Sequence, residues 1–321
     1  MRHETVGALD EADVGAPELA GSDSAPSVPP DALGAMRILA EQHVLAALGM
    51  VRQGRVYDLS HVLEPEMPMS PFHGDYQIRV HRSLEEGHAL QVQRFGTVSN
   101  GYAPQNRRLD LSDQTGTHID NLNHVGVRIA HGNYLMFGGI HESAESMRAI
   151  DRPGIEMMPA LIGRAVLLDI AGALGVAELP AGHAISVDQL REAGHRQGTA
   201  IGPGDTVLIH TGWGRHWDPG GLHEMLAAEP GLSAHSARWL ADQGVVCVGA
   251  DNFAVEVVPP EMVDEPFPAH IDLLVRAGVR MLENLCLEQI VADGVRECCL
   301  IVAPLKIKGG TGSPVRPLAL I

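Results

Sequence analysis

Cysteine is scarce in this 321-residue sequence: four are present, and no two of them have the Cys-x-x-Cys spacing of metal-binding or redox motifs. Two of them are adjacent and would point to opposite faces of a strand. We therefore interpret the cysteines as reduced core residues of a cytoplasmic protein, and we expect no disulfide. The four are Cys247, Cys286, Cys298 and Cys299.

Basic residues are also few. The chain has 23 Lys and Arg against 40 Asp and Glu, which gives a formal net charge of −17. A nucleic-acid surface needs basic patches that replace phosphate counterions, so this composition argues against nucleic acid as a partner. No apolar run reaches the roughly 20 residues of a membrane-spanning helix, and the N-terminus lacks the apolar core of a signal peptide. We expect no membrane partner and a cytoplasmic location.

Several catalytic motifs are missing from the sequence. It contains no Gly-x-Ser-x-Gly element, phosphate-binding loop or dinucleotide fingerprint, so serine hydrolase, kinase and dehydrogenase functions have no support. The content of hydrophobic residues is 45% and that of charged residues is 20%, as in ordinary globular proteins. A chain of this length can bury a large core.

The sequence predicts three regions. Residues 1–30 mix acidic residues with Gly, Ala, Ser and Pro and cannot build a core, so we expect a disordered tail. Residues 31–54 form an extension in which apolar positions recur at helical spacing, and we expect an amphipathic helix there that packs on the body or on a partner subunit. Residues 55–321 form the remaining domain.

Apolar strands alternate with helical patterns in residues 55–321. We predict strands at 55–60, 161–169, 205–213 and 245–251, and helices at 185–194 and 268–278. Ser186 is the expected N-cap of the first helix and Gly194 lies just past its expected end, while Gly278 ends the second. Alternating strands and helices predict an α/β fold in which a mixed sheet is flanked by helices.

Residues 114–124 have the densest set of chemically active side chains. If His118 and Asp120 belong to a strand, they point to the same side, because side chains alternate with period 2. An imidazole and a carboxylate suit a divalent metal such as zinc or manganese, and Gln114 and His124 are nearby candidates for further ligands. The alternative is a polar turn in which Asp120 caps a following helix and His118 is exposed.

The stretch resembles the signature of the metal-dependent cyclase superfamily, which includes bacterial kynurenine formamidases and isatin hydrolases. That signature reads His-x-Gly-Thr-His-x-Asp, then three residues, then His. This chain departs from it at Gln114, where the family has a histidine ligand, and at Leu122, where proline is frequent. Further matching segments extend the resemblance over roughly residues 55–321; they are 58–60, 270–274, 283–285, 304–306 and 312–316.

The resemblance implies a swivelling β/β/α-type cyclase fold and a metal-dependent amidohydrolase, with one or two zinc or manganese ions and a homodimeric assembly. It implies substrates such as N-formylkynurenine, an intermediate of tryptophan catabolism, or isatin. The implied roles are as follows: His118, Asp120 and Gln114 as metal ligands, His270 and Glu283 as ligands of a second metal bridged by Asp120, His124 as the acid/base residue, and Phe72 as a cover of the substrate.

Two alternatives stay open on the sequence. Gln114 can offer an amide oxygen to the metal, or it can hydrogen-bond to a ligand without binding the metal itself. The chain as a whole is either an arylformamidase-like or isatin hydrolase-like enzyme, or a homologue that lost its chemistry with the change at Gln114 and acts as a small-molecule binding or structural protein. Among the other histidines, which lack ligand spacing, His73 and His216 each lie near an aromatic residue and are candidates to reach the pocket.

Overall fold

The computed structural model describes residues 32–129, 133–139, 141–143, 154–218 and 227–321. The predicted tail, residues 1–30, lies outside them. The strands are β1 (Val56–Asp58), β2 (Gln77–Arg82), β3 (Asn106–Asp110), β4 (His118–Asp120), β5 (Val127–Arg128), β6 (Asn133–Leu135), β7 (His141–Ser143), β8 (Leu161–Asp169), β9 (Ala184–Ile185), β10 (Thr206–His210), β11 (Gly231–Leu232), β12 (Cys247–Ala250), β13 (Arg280–Glu283), β14 (Glu297–Val302), β15 (Gly312–Pro314) and β16 (Leu318–Leu320).

The helices are α1 (Glu41–Leu48), α2 (Leu84–Phe95), α3 (Ile170–Ala173), α4 (Val187–Gln197), α5 (Ala234–Asp242), α6 (Pro268–His270, continued by the π-helical Ile271–Ala277) and α7 (Glu288–Ala292). Short 3-10 turns cover Gly34–Ile38, Phe137–Gly139, Ile155–Met157 and Trp213–His216. In the part of the chain that the structure describes, no helix has both the length and the apolar character needed to cross a bilayer.

A mixed sheet of nine described strands organises the fold, in the order β1-β16-β14-β8-β10-β12-β13-β4-β15. The four central strands β8, β10, β12 and β13 run parallel to one another. The strands outside them are antiparallel to their neighbours. The predicted α/β class with a mixed sheet and flanking helices is confirmed.

Each face of this sheet buries its own hydrophobic cluster. Along β8, Val166 and Leu168 belong to one cluster, and Ala165 and Leu167 belong to the other. The first cluster includes side chains of α4, α5 and α6, so these helices cover that face. A parallel sheet covered on both faces has strands that are apolar on both sides, which explains why the central strands are almost continuously hydrophobic.

Helix α4 begins at the predicted N-cap, since the Ser186 hydroxyl accepts a hydrogen bond from the backbone N–H of Gln189. The predicted end at Gly194 is wrong: the helix continues to Gln197 and ends at Gly198, which is left-handed with φ of 70°. Gly194 lies inside the helix, where a Cβ would come within 3.1 Å of the Thr199 carbonyl oxygen. A glycine in a helix therefore marks close packing here, not a terminus.

The predicted helix in residues 31–54 is broken into the 3-10 turn Gly34–Ile38 and α1, with an extended link at Leu39 and Ala40. The break coincides with contacts to residues 278–280, at the start of β13. The Ala35 N–H donates to the Gly278 carbonyl, and the Arg280 guanidinium donates to the carbonyl of Leu33. These bonds hold the turn beside β13, and the extended residues Leu39 and Ala40 separate it from α1.

Residues 77–110 comprise β2, α2 and β3, and we refer to them as the arm. In the arm, β2 pairs antiparallel with β3 in a two-stranded sheet separate from the nine-stranded one. Helix α2 begins with a capping box in which Ser83 and Glu86 satisfy each other's backbone N–H groups. Both strands of the arm are exposed along almost their whole length.

Candidate metal centre

The pairing of β4 with β13 brings three polar side chains together. His118 lies directly opposite Glu283, and Asp120 lies opposite Met281. Paired residues of an antiparallel ladder point to the same face, and so do residues two apart in a strand. His118, Asp120 and Glu283 therefore share one face of the sheet, the face covered by α6.

Helix α6 adds a fourth side chain. It begins at Pro268, a residue suited to the first turn because it has no N–H to leave unpaired. His270 lies in this turn and is buried. Glu256 fixes it from the preceding loop: one carboxylate oxygen is 2.5 Å from His270 Nδ1 and 3.0 Å from its backbone nitrogen. The other oxygen accepts the N–H of Ala269 at 3.0 Å.

The four side chains alternate around a small space. His118 Nε2 is 3.6 Å from Asp120 Oδ1 and 3.2 Å from Glu283 Oε2. His270 Nε2 is 3.8 Å from Asp120 Oδ2 and 3.4 Å from Glu283 Oε1. All four side chains are almost completely buried. One potential ligand atom from each of Asp120, His270 and Glu283 lies within 4.8 Å of the others, the spacing of a metal site.

Hydrogen bonds fix the tautomer of both rings. His118 Nδ1 donates to the Gly116 carbonyl at 2.8 Å, and His270 Nδ1 is bonded to Glu256, so the Nε2 atoms are the ones that face the carboxylates. Gly116 has a φ of +63°, and a Cβ there would lie 2.4 Å from Leu63 Cδ2, so only glycine suits this turn. A histidine held through one nitrogen by a carbonyl or carboxylate is the usual arrangement of a metal ligand.

The chemistry of the donor set fits a divalent metal. Both carboxylate oxygens of Asp120 are buried and have no hydrogen-bond partner among the described residues. Leaving a buried carboxylate unpaired is costly, whereas binding a cation would satisfy both oxygens. Imidazole nitrogens with carboxylate oxygens are the ligands that zinc and manganese accept. These four side chains could therefore hold such an ion.

The pKa values of the cluster residues also favour a cation at this site. Burial opposes charging of His118, but the hydrogen bond and charge of Glu283 outweigh it and raise the pKa of His118 to about 9. In the same way, Glu256 and Glu283 overcome burial and raise the pKa of His270 well above its usual value. Burial raises the pKa of the Asp120 carboxyl. The carboxylates of the cluster thus favour positive charge at the Nε2 atoms of His118 and His270. A metal ion bound there would supply that charge and would displace the protons from the two Nε2 atoms.

His124 and Gln114 lie beside this cluster. The His124 ring centroid is 6.4 Å from that of His270. The Gln114 amide nitrogen is 3.0 Å from His124 Nδ1 and donates to Thr311 Oγ1 at 3.1 Å. The Gln114 Oε1 atom is buried without a partner among the described residues. The amide nitrogen of Gln114 therefore faces Nδ1 of His124, and Nε2 is the ring nitrogen of His124 that Gln114 does not contact.

The loop after β1 places His73, not Phe72, near the cluster. Phe72 is 95% exposed and points to solvent. His73 is half-buried; its ring centroid is 6.3 Å from that of His118 and 6.0 Å from that of Phe253, on which it stacks. The structure thus brings His118, Asp120, His270, Glu283, His124 and Gln114 together and leaves Phe72 apart.

Three residues near the site were missed by sequence reasoning. Glu256 holds His270, and Phe267 packs edge-on against the His270 ring with centroids 5.4 Å apart. Glu229 is buried, and its carboxylate accepts the N–H groups of Phe253 and Ala254, each at 2.8 Å. No local pattern marks these residues, because the contacts that matter join distant segments.

Comparison with known proteins gives a consistent result. The family model for Cyclase matches residues 57–257, more than half of the chain. An isatin hydrolase of Roseibium aggregatum is 33% identical over 131 residues, which are 38% of this chain and 46% of that protein. This chain therefore matches less than half the length of that relative.

Two further matches span most of the chain. A kynurenine formamidase of Erythrobacter litoralis is 26% identical over 271 residues, covering 83% of this chain and 94% of that protein. A crystal structure described as a novel cyclase superposes with a TM-score of 0.77 at 26% identity, covering 91% of this chain and 94% of the other.

Proposed function

The chain belongs to the Cyclase family, and from this premise we propose that it is a metal-dependent hydrolase that cleaves the carbon–nitrogen bond of an aryl amide. The observation that carries the proposal is the buried cluster of His118, Asp120, His270 and Glu283, in which both oxygens of Asp120 have no hydrogen-bond partner among the described residues. The relatives named for isatin hydrolysis and for kynurenine formamide hydrolysis support a reaction at a carbonyl bonded to nitrogen.

In this proposal the four side chains of the cluster hold one or two zinc or manganese ions, with Asp120 placed between the two histidines. A bound divalent ion would lower the pKa of water from about 16 to about 7 and polarise the substrate carbonyl. The ligand geometry depends on Glu256 and Gly116, which orient the rings of His270 and His118.

His124 is the proposed acid/base residue. The Gln114 amide N–H donates to Nδ1, so the neutral ring carries its hydrogen on Nε2, and Nε2 is the atom from which a proton passes to the leaving nitrogen. To take a proton from the attacking water, Nε2 must first be free, which requires that the Gln114 amide turn so that its oxygen accepts the hydrogen of Nδ1. Gln114 acts in this scheme through His124: its amide fixes the imidazole, which would otherwise rotate. The resemblance to the family signature supports the role of His124, because it occupies the position of the last histidine.

The proposed substrate carries an aromatic ring. The His73 and Phe253 rings stack near His118, and the Phe267 ring packs on His270, so aromatic surfaces flank the cluster on two sides. Aromatic substrates such as N-formylkynurenine and isatin would find stacking partners there. His73 takes the place in this proposal that the resemblance implied for Phe72.

The experiment measures metal content and hydrolysis together. We expect the purified chain to retain zinc or manganese near stoichiometry and to hydrolyse N-formylkynurenine or isatin, with simple aryl esters as a further screen. The Asp120→Asn variant, which keeps the shape of the side chain but loses its charge, should lose both properties. Metal retention without turnover would favour the alternative, a small-molecule binding protein; a chain that neither binds metal nor hydrolyses these amides contradicts the proposal.

A homodimer in the cytoplasm completes the proposal. The resemblance to the cyclase superfamily supports the dimer, and the four free cysteines support a reducing compartment. Light scattering measures the mass in solution, and a mass of one chain at micromolar concentration would contradict the dimer.

A further inference from the structure

Three hydrogen bonds in succession join Asp113 to His124. The Asp113 carboxylate oxygen Oδ2 is 3.0 Å from the Thr311 hydroxyl oxygen. The same hydroxyl oxygen is 3.1 Å from Gln114 Nε2, and this nitrogen is 3.0 Å from His124 Nδ1. Because the Gln114 side chain is almost completely buried, these contacts decide which end of its amide faces which partner.

The direction of each bond follows from the carboxylate of Asp113. A carboxylate accepts hydrogen bonds and cannot donate them, so the hydrogen of the Thr311 hydroxyl lies on the bond to Asp113. The hydroxyl oxygen can then only accept from Gln114, and the end of the amide beside it must be the NH₂ group. The amide nitrogen gives its second hydrogen to His124 Nδ1, which leaves the hydrogen of the neutral ring on Nε2.

Backbone hydrogen bonds keep Thr311 in place. Asp113 Oδ2 also accepts the backbone N–H of Thr311 at 2.6 Å and that of Gly312 at 3.2 Å. The Thr311 carbonyl accepts the N–H of Asn121 at 2.9 Å, and the Asn121 carbonyl accepts the N–H of His124 at 2.9 Å. Thr311 is therefore held on both sides of its peptide unit, and its hydroxyl stays at a fixed distance from the turn that carries His124.

The same bonds disfavour the opposite orientation of the amide. With the amide turned, Gln114 Oε1 would face the Thr311 hydroxyl oxygen, and two acceptors would be in contact unless the hydroxyl gave up its bond to Asp113. A buried acceptor that loses its partner costs free energy. The turned amide is also the one that would free Nε2 of His124 to accept a proton, so Asp113 and Thr311 influence which form of the ring is populated.

We propose that Asp113 and Thr311 are positioning residues that hold the neutral ring of His124 with its hydrogen on Nε2. They act through the amide of Gln114. In this form His124 is ready to donate to a leaving nitrogen, and acceptance of a proton from water requires the Thr311 hydroxyl to leave Asp113. The consequence for catalysis rests on the proposed acid/base role of His124, whereas the tautomer itself can be measured without any reaction.

Nitrogen-15 NMR of the histidine rings measures the tautomer, since a protonated and an unprotonated ring nitrogen differ widely in chemical shift. The chain is labelled at its histidines and supplied with one equivalent of zinc, and the pH is raised until His124 gives the spectrum of a neutral ring. Because the chain has 17 histidines, the signals of His124 are identified as those that disappear in His124→Gln. We expect the wild-type ring to carry its hydrogen on Nε2.

Substitutions along the three bonds test what sets the tautomer. Thr311→Val removes the hydroxyl at nearly constant shape and should raise the ratio of the Nδ1–H form to the Nε2–H form about fivefold, the factor that one neutral hydrogen bond typically contributes. Asp113→Ala frees the hydroxyl to donate to a turned amide and should change the ratio in the same direction. Thr311→Ser keeps the hydroxyl and is the matched control, with an unchanged ratio. In Gln114→Glu the side chain can only accept, so the ring should carry a hydrogen on Nδ1.

Thermal unfolding shows which variants are folded, and Thr311→Val decides the test if Asp113→Ala does not fold. A wild-type ring with its hydrogen on Nδ1, an unchanged ratio in Thr311→Val, or an equal shift in Thr311→Ser would each overturn the inference. The spectra need no substrate, so this inference and the proposed function fail separately. A chain that shows the expected tautomers but does not hydrolyse aryl amides contradicts only the proposed function.

Discussion

Replacement of Glu256 by Gln tests whether a hydrogen bond outside the ligand set controls metal binding. Glu256 is buried, and one of its oxygens is 2.5 Å from His270 Nδ1. The carboxylate orients the ring and makes its Nε2 atom a stronger donor to a cation. The amide of Gln is neutral and has one acceptor oxygen, so it cannot keep both the Nδ1 bond and the bond to the Ala269 N–H.

Loss of a residue that hydrogen-bonds to a metal ligand typically costs about 10–100-fold in metal affinity, and we expect a loss in this range for Glu256→Gln. This range corresponds to about 1.4–2.8 kcal/mol, because each tenfold change is about 1.4 kcal/mol. We expect the larger effect for Glu256, since its bond to His270 is short and fully buried. The same substitution should shift the affinity for zinc and for manganese in the same direction.

Glu229→Gln is the matched control. Glu229 is equally buried and also accepts two consecutive backbone N–H groups, but it contacts neither histidine of the cluster by a hydrogen bond. Burial raises the pKa of the Glu229 carboxyl well above its usual value. We therefore expect Glu229→Gln to change metal affinity less than about threefold, although the loss of one acceptor can lower the melting temperature.

The assay is a competition titration of the metal-free chain against a chromophoric chelator at about pH 7, with thermal unfolding in excess chelator as the measure of folding. Weaker binding by Glu256→Gln alone supports the positioning role of Glu256. Unchanged affinity in Glu256→Gln, or equal losses in both variants, would refute the reasoning, since both remove a buried carboxylate and only one of these carboxylates contacts a histidine of the cluster.

Three further predictions follow from the structure. His124→Ala should retain the metal but lose about 10²–10⁴-fold in hydrolysis rate, and metal analysis that shows an empty site would make His124 a ligand instead. Gln114→Ala should lower the rate because His124 Nδ1 loses its partner, with metal affinity unchanged; a loss of metal would instead identify the Gln114 oxygen as a ligand. His210 is buried between Asp169 and Asp251. Burial lowers the pKa of His210, but the hydrogen bond to Asp169 and the charges of both aspartates have the larger effect and raise it above 6.5. The ion pairs of His210 therefore stabilise the fold fully below about pH 6.5, and this contribution is lost as the pH rises through the folded-state pKa. The difference in unfolding free energy between wild type and His210→Gln should therefore shrink as the pH rises above about 6.5, and a difference that does not change with pH would contradict this.

The sequence predicted those parts of the fold that depend on local patterns. The strand at residues 161–169 has the expected limits, because an apolar run between turn residues is a strong signal. The helix that contains His270 ends at Gly278 as expected, with φ of 69°. The end of α4 and the break before α1 were not predictable, since close packing at Gly194 and the bonds of Arg280 to the turn depend on tertiary contacts.

The candidate site also has features that local sequence patterns predict and features that depend on tertiary contacts. Alternation in a strand predicts that His118 and Asp120 share a face. The register that sets His118 opposite Glu283 is a long-range property of β4 and β13. The role of Glu256 is equally long-range: it lies 14 residues before His270 in a loop without a motif, and only the folded chain shows the contact.

The departure from the family signature at Gln114 has a physical account in the neighbouring strand β15. A Cβ at Gly312 would lie 2.6 Å from Gln114 Nε2 and 2.8 Å from Oε1, so the glycine gives the amide the room it occupies. From there its nitrogen joins Thr311 to His124. The potential ligand atoms of Asp120, His270 and Glu283 lie within 4.8 Å of one another without any atom of Gln114. In the proposed scheme, the glutamine at position 114 therefore sets how firmly His124 is held, and the cluster of His118, Asp120, His270 and Glu283 would hold the metal without it.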